Sequence, residues 1–271
     1  INQKPNLGGL WPNCWEAGRG KITFGADGDS FYEYLVKAWL QTGQTDDRLW
    51  KMYNDAIDSM EHHLTSRAHD GLLYLNNLEW NGNSKSGGPF GAQDVAMEHL
   101  ACFVPGWIAL GVPHQTDPSR KARHLKLAEE LAYTCYQMYE QQPTGIGPER
   151  VKSQRMDLSK TDTREYILRP EAAEGWWYMY ELTRDDKYRE WGWKTFLNFE
   201  KHLKVAHGYA SLRDVRDPKR GKMDRMESFF LAETMKYLYL LQDPTRPLDL
   251  EKYVLNTEAH PLLIFGSGAA H

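Results

Sequence analysis

The chain has 271 residues and a formal net charge of −4, from 33 Lys and Arg against 37 Asp and Glu, with no polybasic run. That balance argues against nucleic acid and anionic membrane surfaces as partners. No stretch of about 18 apolar residues exists, so no direct membrane span is expected.

At 41% hydrophobic, with 10 Trp and 15 Tyr, the sequence can fill one large core or two small ones. It opens at Ile1 without Met and reads as a mature or cleaved product, with any targeting segment upstream. Residues 266–271 read as an artificial linker entering a purification tag, which leaves 1–265 as part of a single domain. No Asn-x-Ser/Thr acceptor is present. The cysteines Cys14, Cys102 and Cys135 show no metal-ligand spacing, so a zinc site is not expected.

In chain order, Asp29 can cap a first helix whose apolar face runs Phe31, Tyr34, Leu35 and Ala38, with Thr42-Gly43 closing it. The link Gln44-Thr45-Asp46-Asp47 opens a second helix, with Leu49, Met52, Tyr53, Ala56, Ile57, Met60 and Leu64 on one face. Residues 72–77 look like a β-hairpin or extended loop. Glu98-His99-Leu100 opens a third helix ending at Leu110-Gly111, and residues 120–141 read as a long amphipathic fourth. Cys102 and Cys135 fall on these two helices. Antiparallel packing would bring them within disulfide range, and two buried thiols fit the spacing equally well.

Arg169-Pro170-Glu171-Ala172-Ala173-Glu174 then places a proline at a helix start and two glutamates one turn apart, on one face, at the positive end. The aromatic run Gly175-Trp176-Trp177-Tyr178 buries this helix, which ends near Leu182-Thr183. A capping and dipole role would account for either glutamate alone. Arg184-Asp185-Asp186 leads into a helix carrying Tyr188, Trp191, Phe196, Phe199 and Leu203. Residues 209–215 look like a second hairpin or extended loop. A last helix follows Met226-Glu227-Ser228, runs to about Leu241 and is apolar nearly all round, which argues burial. Glu233 sits within its apolar run and must find a partner.

These segments form a weak repeat of helical hairpins with a period of roughly 55–70 residues. If the first helices of the hairpins line a ring and run the same way, their acidic starts gather at one end. Asp29, Glu98, His99, Glu171, Glu174, Glu227 and Glu233 would then surround one pocket.

Five blocks carry a resemblance to a known family. They are Asp29-Ser30-Phe31-Tyr32-Glu33-Tyr34-Leu35, residues 98–106, residues 166–174, residues 226–234 and Asn256-Thr257-Glu258-Ala259-His260-Pro261. In that order, spanning nearly the whole chain, they resemble the signature blocks of class I α-1,2-mannosidases, glycoside hydrolase family 47. The resemblance implies an all-α (αα)7 barrel with short β-hairpins, of which this chain is roughly the C-terminal half. It implies calcium-dependent, inverting hydrolysis of terminal α-1,2-linked mannose from high-mannose N-glycans, in the endoplasmic reticulum or Golgi lumen or outside the cell.

Carried over by position, Glu171 resembles the general base and Asp29 the second catalytic carboxylate, an acid or its support. Thr257 resembles the residue that binds Ca2+ through its carbonyl and hydroxyl oxygens. Glu98, Glu174, Glu233 and Glu258 resemble the carboxylates that hold calcium-bound waters or sugar hydroxyls. His99, Arg169 and Phe229 resemble sugar-pocket residues, and Cys102–Cys135 the family disulfide, which implies an oxidising compartment. Inversion calls for two carboxyl groups about 6.5–9.5 Å apart, with a water between. A hard cation would also explain how so many acids share a pocket.

By themselves His99 reads as a core or capping histidine, and Phe229 and Trp176-Trp177 as core packing; for the tryptophans the packing reading is kept. Two departures from the family stand out. The Phe-Glu…Ile-Arg…Gly-Gly-Leu run, which carries the glutamate most often assigned as general acid, is absent. The expected partner is therefore the N-terminal half of the same barrel, as a separate, non-covalently associated chain. Asp27, with Gly28 adding room beside it, replaces the Arg or small residue usual where branch choice is set. A second function class, glycan recognition in glycoprotein degradation with weak or partner-dependent hydrolysis, shares the same carboxylates. A terpene-cyclase-like helical toroid lacks its Asp-rich motifs.

Overall fold

The computed structural model describes residues 6–14, 19–69, 71–81, 90–94, 96–152 and 163–266. The helices are α1 (Asp29–Gln41), α2 (Asp47–His63), α3 (Val104–Gly111), α4 (Pro118–Glu140), α5 (Glu171–Thr183), α6 (Lys187–His202) and α7 (Met235–Gln242). The strands are β1 (Arg19–Ile22), β2 (Thr65–Arg67), β3 (Leu73–Leu75), β4 (Asn77–Asn81), β5 (Phe90–Asp94), β6 (Ala96–Glu98), β7 (Arg150–Lys152), β8 (Lys204–Val205), β9 (Gly208–Tyr209), β10 (Tyr253–Leu255) and β11 (Pro261–Leu263). They are short and antiparallel: a three-stranded sheet β1-β4-β5, and the pairs β2-β3, β6-β7, β8-β9 and β10-β11.

The helices form two layers. α1, α3, α5 and α7 pack in that order as an inner row, while α2, α4 and α6 pack outside α1, α3 and α5. Local chemistry sets the hairpin corners. Thr42 returns its hydroxyl to the carbonyls of Ala38 and Trp39, and Gly43 and Gln44, both at positive φ, close α1. Asp46 then caps α2 by accepting the amides of Arg48 and Leu49. Asp117 and Pro118 start α4 in the same manner.

The layers are glued by aromatics. Trp39 stacks on Trp50 across α1 and α2, and Tyr136 on Trp191 across α4 and α6. Trp176 and Trp177 are fully buried core residues, as their sequence setting suggests. At Gly175 a Cβ would lie 2.6 Å from the Cys102 carbonyl, so only glycine lets α5 approach the turn before α3.

Several elements differ from the sequence reading. Glu98 and His99 do not open an α-helix. Glu98 ends β6, and His99–Phe103 is a 3-10 turn leading into α3, because the β6-β7 pairing holds this stretch extended. Asp29 is the first residue of α1 rather than its cap, and accepts the adjacent Ser30 amide. Pro170 takes the cap position of α5, one residue earlier than expected. The last helical stretch begins at Ser228 with a π-helical turn, Phe230–Thr234, before α7. It is not buried all round: Leu231 is 60% and Tyr239 63% exposed. Of residues 209–215, only Tyr209 lies in a strand; the rest is tied through Leu212, bridged to Tyr166 and Lys222. In the tail, only Gly266 falls within the described residues.

Cys102 and Cys135 form a disulfide, which joins the turn before α3 to α4; Cys14 is free and exposed. The crosslink spans 33 residues, a loop whose closure entropy is about 3.7 kcal/mol at 25 °C. Replacing both cysteines by serine should lower the unfolding free energy by about that amount, read by urea denaturation. An unchanged midpoint would mean that the bond adds no constraint to the denatured chain.

Candidate active site

One cleft collects the acids. It is lined by Asp29, Ser30 and Glu33 from α1, Leu100 and Phe103 before α3, and Pro170, Glu171 and Glu174 from the start of α5. Phe229, Glu233, Thr257 and Glu258 complete it. The expected gathering of helix starts is therefore what the structure shows for α1, α5 and the helix at 228–242. The N-terminal ends of helices favour negative charge, which is why acids are placed there.

Glu171 is the most constrained. Its Oε2 lies 2.7 Å from His99 Nδ1, and its Oε1 3.8 Å from Arg169 Nη1. Burial works to raise this carboxyl, but the His99 imidazole and the Arg169 guanidinium override it and hold the group below its ordinary value. Asp29 moves the other way. Burial first, then repulsion from Glu171 and Glu33, raise it against the pull of the Ser30 amide.

Arg169 is itself fixed. Its Nε donates to Glu149 Oε2 at 2.8 Å, and its guanidinium lies 5.7 Å from the centre of the Phe229 ring. Glu149 Oε1 accepts the Ile167 amide. Leu168, at φ 73°, is a non-glycine residue in the left-handed region, held there by Thr234, whose hydroxyl donates to its carbonyl at 2.7 Å. This bend puts Glu171 on the cleft wall and Arg169 behind it, off the wall, against Glu149, Glu171 and Phe229.

Deeper in, the ammonium of Lys37 lies 2.5 Å from Glu33 Oε1, 3.4 Å from Glu174 Oε1 and 3.5 Å from the Asn256 carbonyl. Burial opposes the charge on Lys37, yet Tyr178, Glu174 and Glu33 raise its affinity for a proton. Glu174 is pushed up to about 7 by burial and by Glu33 and Glu171, in spite of Lys37. Glu233 is pushed up to about 8 by burial and by the charges of Glu174, Glu171, Glu258 and Glu33. Thr257 and Glu258 sit on the turn between β10 and β11, where Asn256 Oδ1 accepts the amides of Glu258 and His260. The Thr257 amide is 3.2 Å from the Tyr34 hydroxyl.

Other residues singled out in the sequence lie off the cleft wall. His99 is fully buried behind Glu171. Glu98 turns away to accept the Ala26 amide at 3.0 Å and the Asn77 side chain. Glu227 pairs with Arg225 instead of joining the ring, because the helix starts one residue after it and its side chain falls outside. Asp27 is exposed, at φ 68°, in the turn before α1. Gly28 does not add room: a Cβ there would lie 2.2 Å from the Thr23 carbonyl, so the residue is glycine because of packing.

Glu33 and Lys37 were missed. Their signal was the ladder Asp29, Glu33, Lys37 at four-residue spacing on an otherwise apolar helix. Glu149 and Tyr139, which touches His99, gave none.

Comparison with known proteins identifies the family of the chain. The profile of Glycosyl hydrolase family 47 matches residues 2–264. Mannosyl-oligosaccharide alpha-1,2-mannosidase IA of Drosophila melanogaster is 40% identical over 276 residues, covering 98% of this chain and 39% of that protein. The human endoplasmic reticulum mannosyl-oligosaccharide 1,2-alpha-mannosidase is 42% identical over 257 residues, covering 91% and 35% respectively. Among solved structures, an alpha-1,2-mannosidase from Trichoderma reesei superposes with a TM-score of 0.80 at 27% identity, covering 96% of this chain and 57% of that one. The chain thus spans about two-fifths of the length of these curated relatives. On the strength of this profile match, of two-fifths identity over nearly every residue and of a shared fold, the chain belongs to glycosyl hydrolase family 47.

Proposed function

We propose that the protein containing this chain hydrolyses terminal α-1,2-linked mannose from high-mannose N-glycans, with inversion, in the lumen of the secretory pathway. The observation that carries this reading is the pair of carboxyls with opposed environments. Glu171 is held ionised by His99 and Arg169, and Asp29 across the same cleft is raised. Opposed pKa values in one pocket are how two carboxyls divide acid and base roles. Glu171 then takes the proton of the attacking water. Arg169 and His99 keep it anionic until it does so. Asp29 either donates a proton or supports the donor. Phe229, beside Arg169, offers an apolar face to a sugar ring.

The donor set fits a calcium ion. The cleft is lined by oxygen atoms of Glu33, Glu174, Glu233, Thr257 and Glu258, the hard ligands this ion takes. Among the described residues no three His, Cys, Asp or Glu converge closely enough to ligate a metal directly. In our reading, Thr257 would be the direct protein ligand and the glutamates would act through water. When bound, such an ion would grip sugar hydroxyls and polarise them.

The partner in this proposal is the rest of an (αα)7 barrel. Support comes from the relatives' greater length and from the exposed Leu231 and Tyr239 beside α7, apolar surface that another helix would cover. Residues 1–265 expressed alone should aggregate and release no mannose, whereas co-expression with the N-terminal half should restore both solubility and turnover. A soluble, active product from residues 1–265 alone would instead make Asp29 the acid.

Glu171→Gln should lower turnover by about two orders of magnitude or more while leaving binding of a mannose-like inhibitor intact. Near wild-type hydrolysis by the variant would refute the base assignment, and binding without turnover in the wild type would favour a glycan-recognition role.

Calcium is tested by stability. Glu233 and Glu174 have folded-state values of about 8 and about 7 against an ordinary 4.5. Within that window the folded protein holds protons that the unfolded chain has released, so its stability falls as pH rises. With chelator present the melting temperature should therefore decline from about pH 4.5 towards about pH 8. Added calcium should raise it most at the alkaline end. A melting temperature indifferent to both would remove the case for the ion.

A further inference from the structure

The group that anchors Glu171 is itself anchored from outside the cleft. His99 Nε2 lies 2.6 Å from the hydroxyl of Tyr139, and all of His99, Tyr139 and Glu171 are buried. Tyr139 belongs to α4, a helix of the outer layer, and does not line the cleft. Its ring packs edge-on against that of Tyr166, with centroids 6.2 Å apart. Tyr166 spends its own proton on the Arg169 carbonyl, at 2.9 Å.

Counting protons fixes the directions. An ionised Glu171 accepts only, so Nδ1 of His99 must carry a hydrogen. A neutral imidazole then presents a lone pair at Nε2. Burial keeps the Tyr139 hydroxyl protonated, and it is the donor within reach. We propose that Tyr139 is a positioning residue for Glu171. By donating to Nε2 it locks His99 in the Nδ1–H tautomer, which presents one N–H to Oε2 and leaves Oε1 free of the imidazole. The same logic orients catalytic and metal-bound histidines through the hydrogen bond on their second nitrogen. Tyr139 thereby links the outer layer to the base, and Tyr166 adds a link to Arg169.

The kinetic part of this inference rests on Glu171 being the base; the tautomer does not. Selective 15N labelling of histidine in the full-length protein, with the His99→Gln spectrum to identify the resonance, reads the tautomer without turnover. The wild type should show a protonated Nδ1 and an unprotonated, hydrogen-bonded Nε2. In Tyr139→Phe, the Nε2 signal should move to that of a nitrogen without a donor. Tyr139→Phe should also lose about tenfold in kcat with little change in KM, and shift the acid limb of the rate profile, a part of the roughly 10²–10⁴ a general base contributes. His99→Gln/Tyr139→Phe should lose no more than His99→Gln alone, since Tyr139 acts through His99. An imidazolium or an Nε2–H tautomer in the wild type would overturn the proposal. So would a Tyr139→Phe enzyme with unchanged kcat and acid limb, or additive losses in the double variant. If the tautomer result holds and no mannose is released by the wild type, the functional reading fails and the positioning role stands.

Discussion

The constraint on which the structure turns is the crowding of negative charge at one end of the inner helices. Glu33, Glu171, Glu174 and Glu233 share a cleft with Asp29, and burial first, then their mutual repulsion, raise Glu174 and Glu233. Lys37 answers it from within. One ammonium with three donors meets acceptors on α1, on α5 and on the turn carrying Thr257. Removing one partner of such a buried group strands the others without water, whereas the pair as a whole adds little net stability. What Lys37 supplies is therefore register between three segments far apart in sequence, more than stability.

A second anchor system works from the other side. The stretch before α5 is extended, strained at Leu168, and tied at nearly every residue. Tyr166 is bridged to Leu212, Ile167 bonds to Glu149, Leu168 to Thr234, and Arg169 to Glu149. Strain at a functional position persists only where the surroundings over-determine it, and these contacts are that surrounding. They make Arg169 and Glu171 rigid before any ligand arrives, which is the condition for a site that acts by preorganised charge. The disulfide serves the same end, because Cys102 lies in the turn that contacts α5 at Gly175.

How much of this could be read in the sequence depended on whether the controlling interaction was local. α1, α2, α4, α5 and α6 followed their apolar periodicity and their Asp, Thr and Gly punctuation, because caps and faces are set by residues within a turn or two. Glu98–His99 was misread as a helix start because a strand formed at residues 150–152 decides its conformation, 50 residues away. The π-helical turn at Phe230 leaves no pattern of its own, and the exposed side of the last helix looked buried because Leu231 and Tyr239 are apolar. At the site, Asp29, Glu171, Glu174 and Glu233 were legible as acids at helix starts or in an apolar run. Thr257, Glu258 and Phe229 stood out only within family blocks, since a lone Thr, Glu or Phe in a loop or helix carries no signal. Tyr139 was invisible: a tyrosine on an amphipathic helix is indistinguishable from packing until its hydroxyl is seen against an imidazole.

The two ends of the inner row show why the cleft, and not the larger cavity, carries the chemistry. The larger cavity, about 820 Å³, opens at the C-terminal ends of α1, α3 and α5, beside Leu40, Leu110 and Leu182. There the helix ends carry negative partial charge, and Glu181, which lines it, is already claimed by Arg184 and Arg246. Of the two other acids on its wall, Asp249 pairs with Lys252, and both Asp249 and Glu251 are exposed to solvent rather than held in a buried pocket. At the opposite end the helix starts stabilise anions, Lys37 absorbs part of the excess, and a carboxylate can be kept ionised beside one that is raised. The direction in which the inner helices run thus sets which mouth can hold acid and base together.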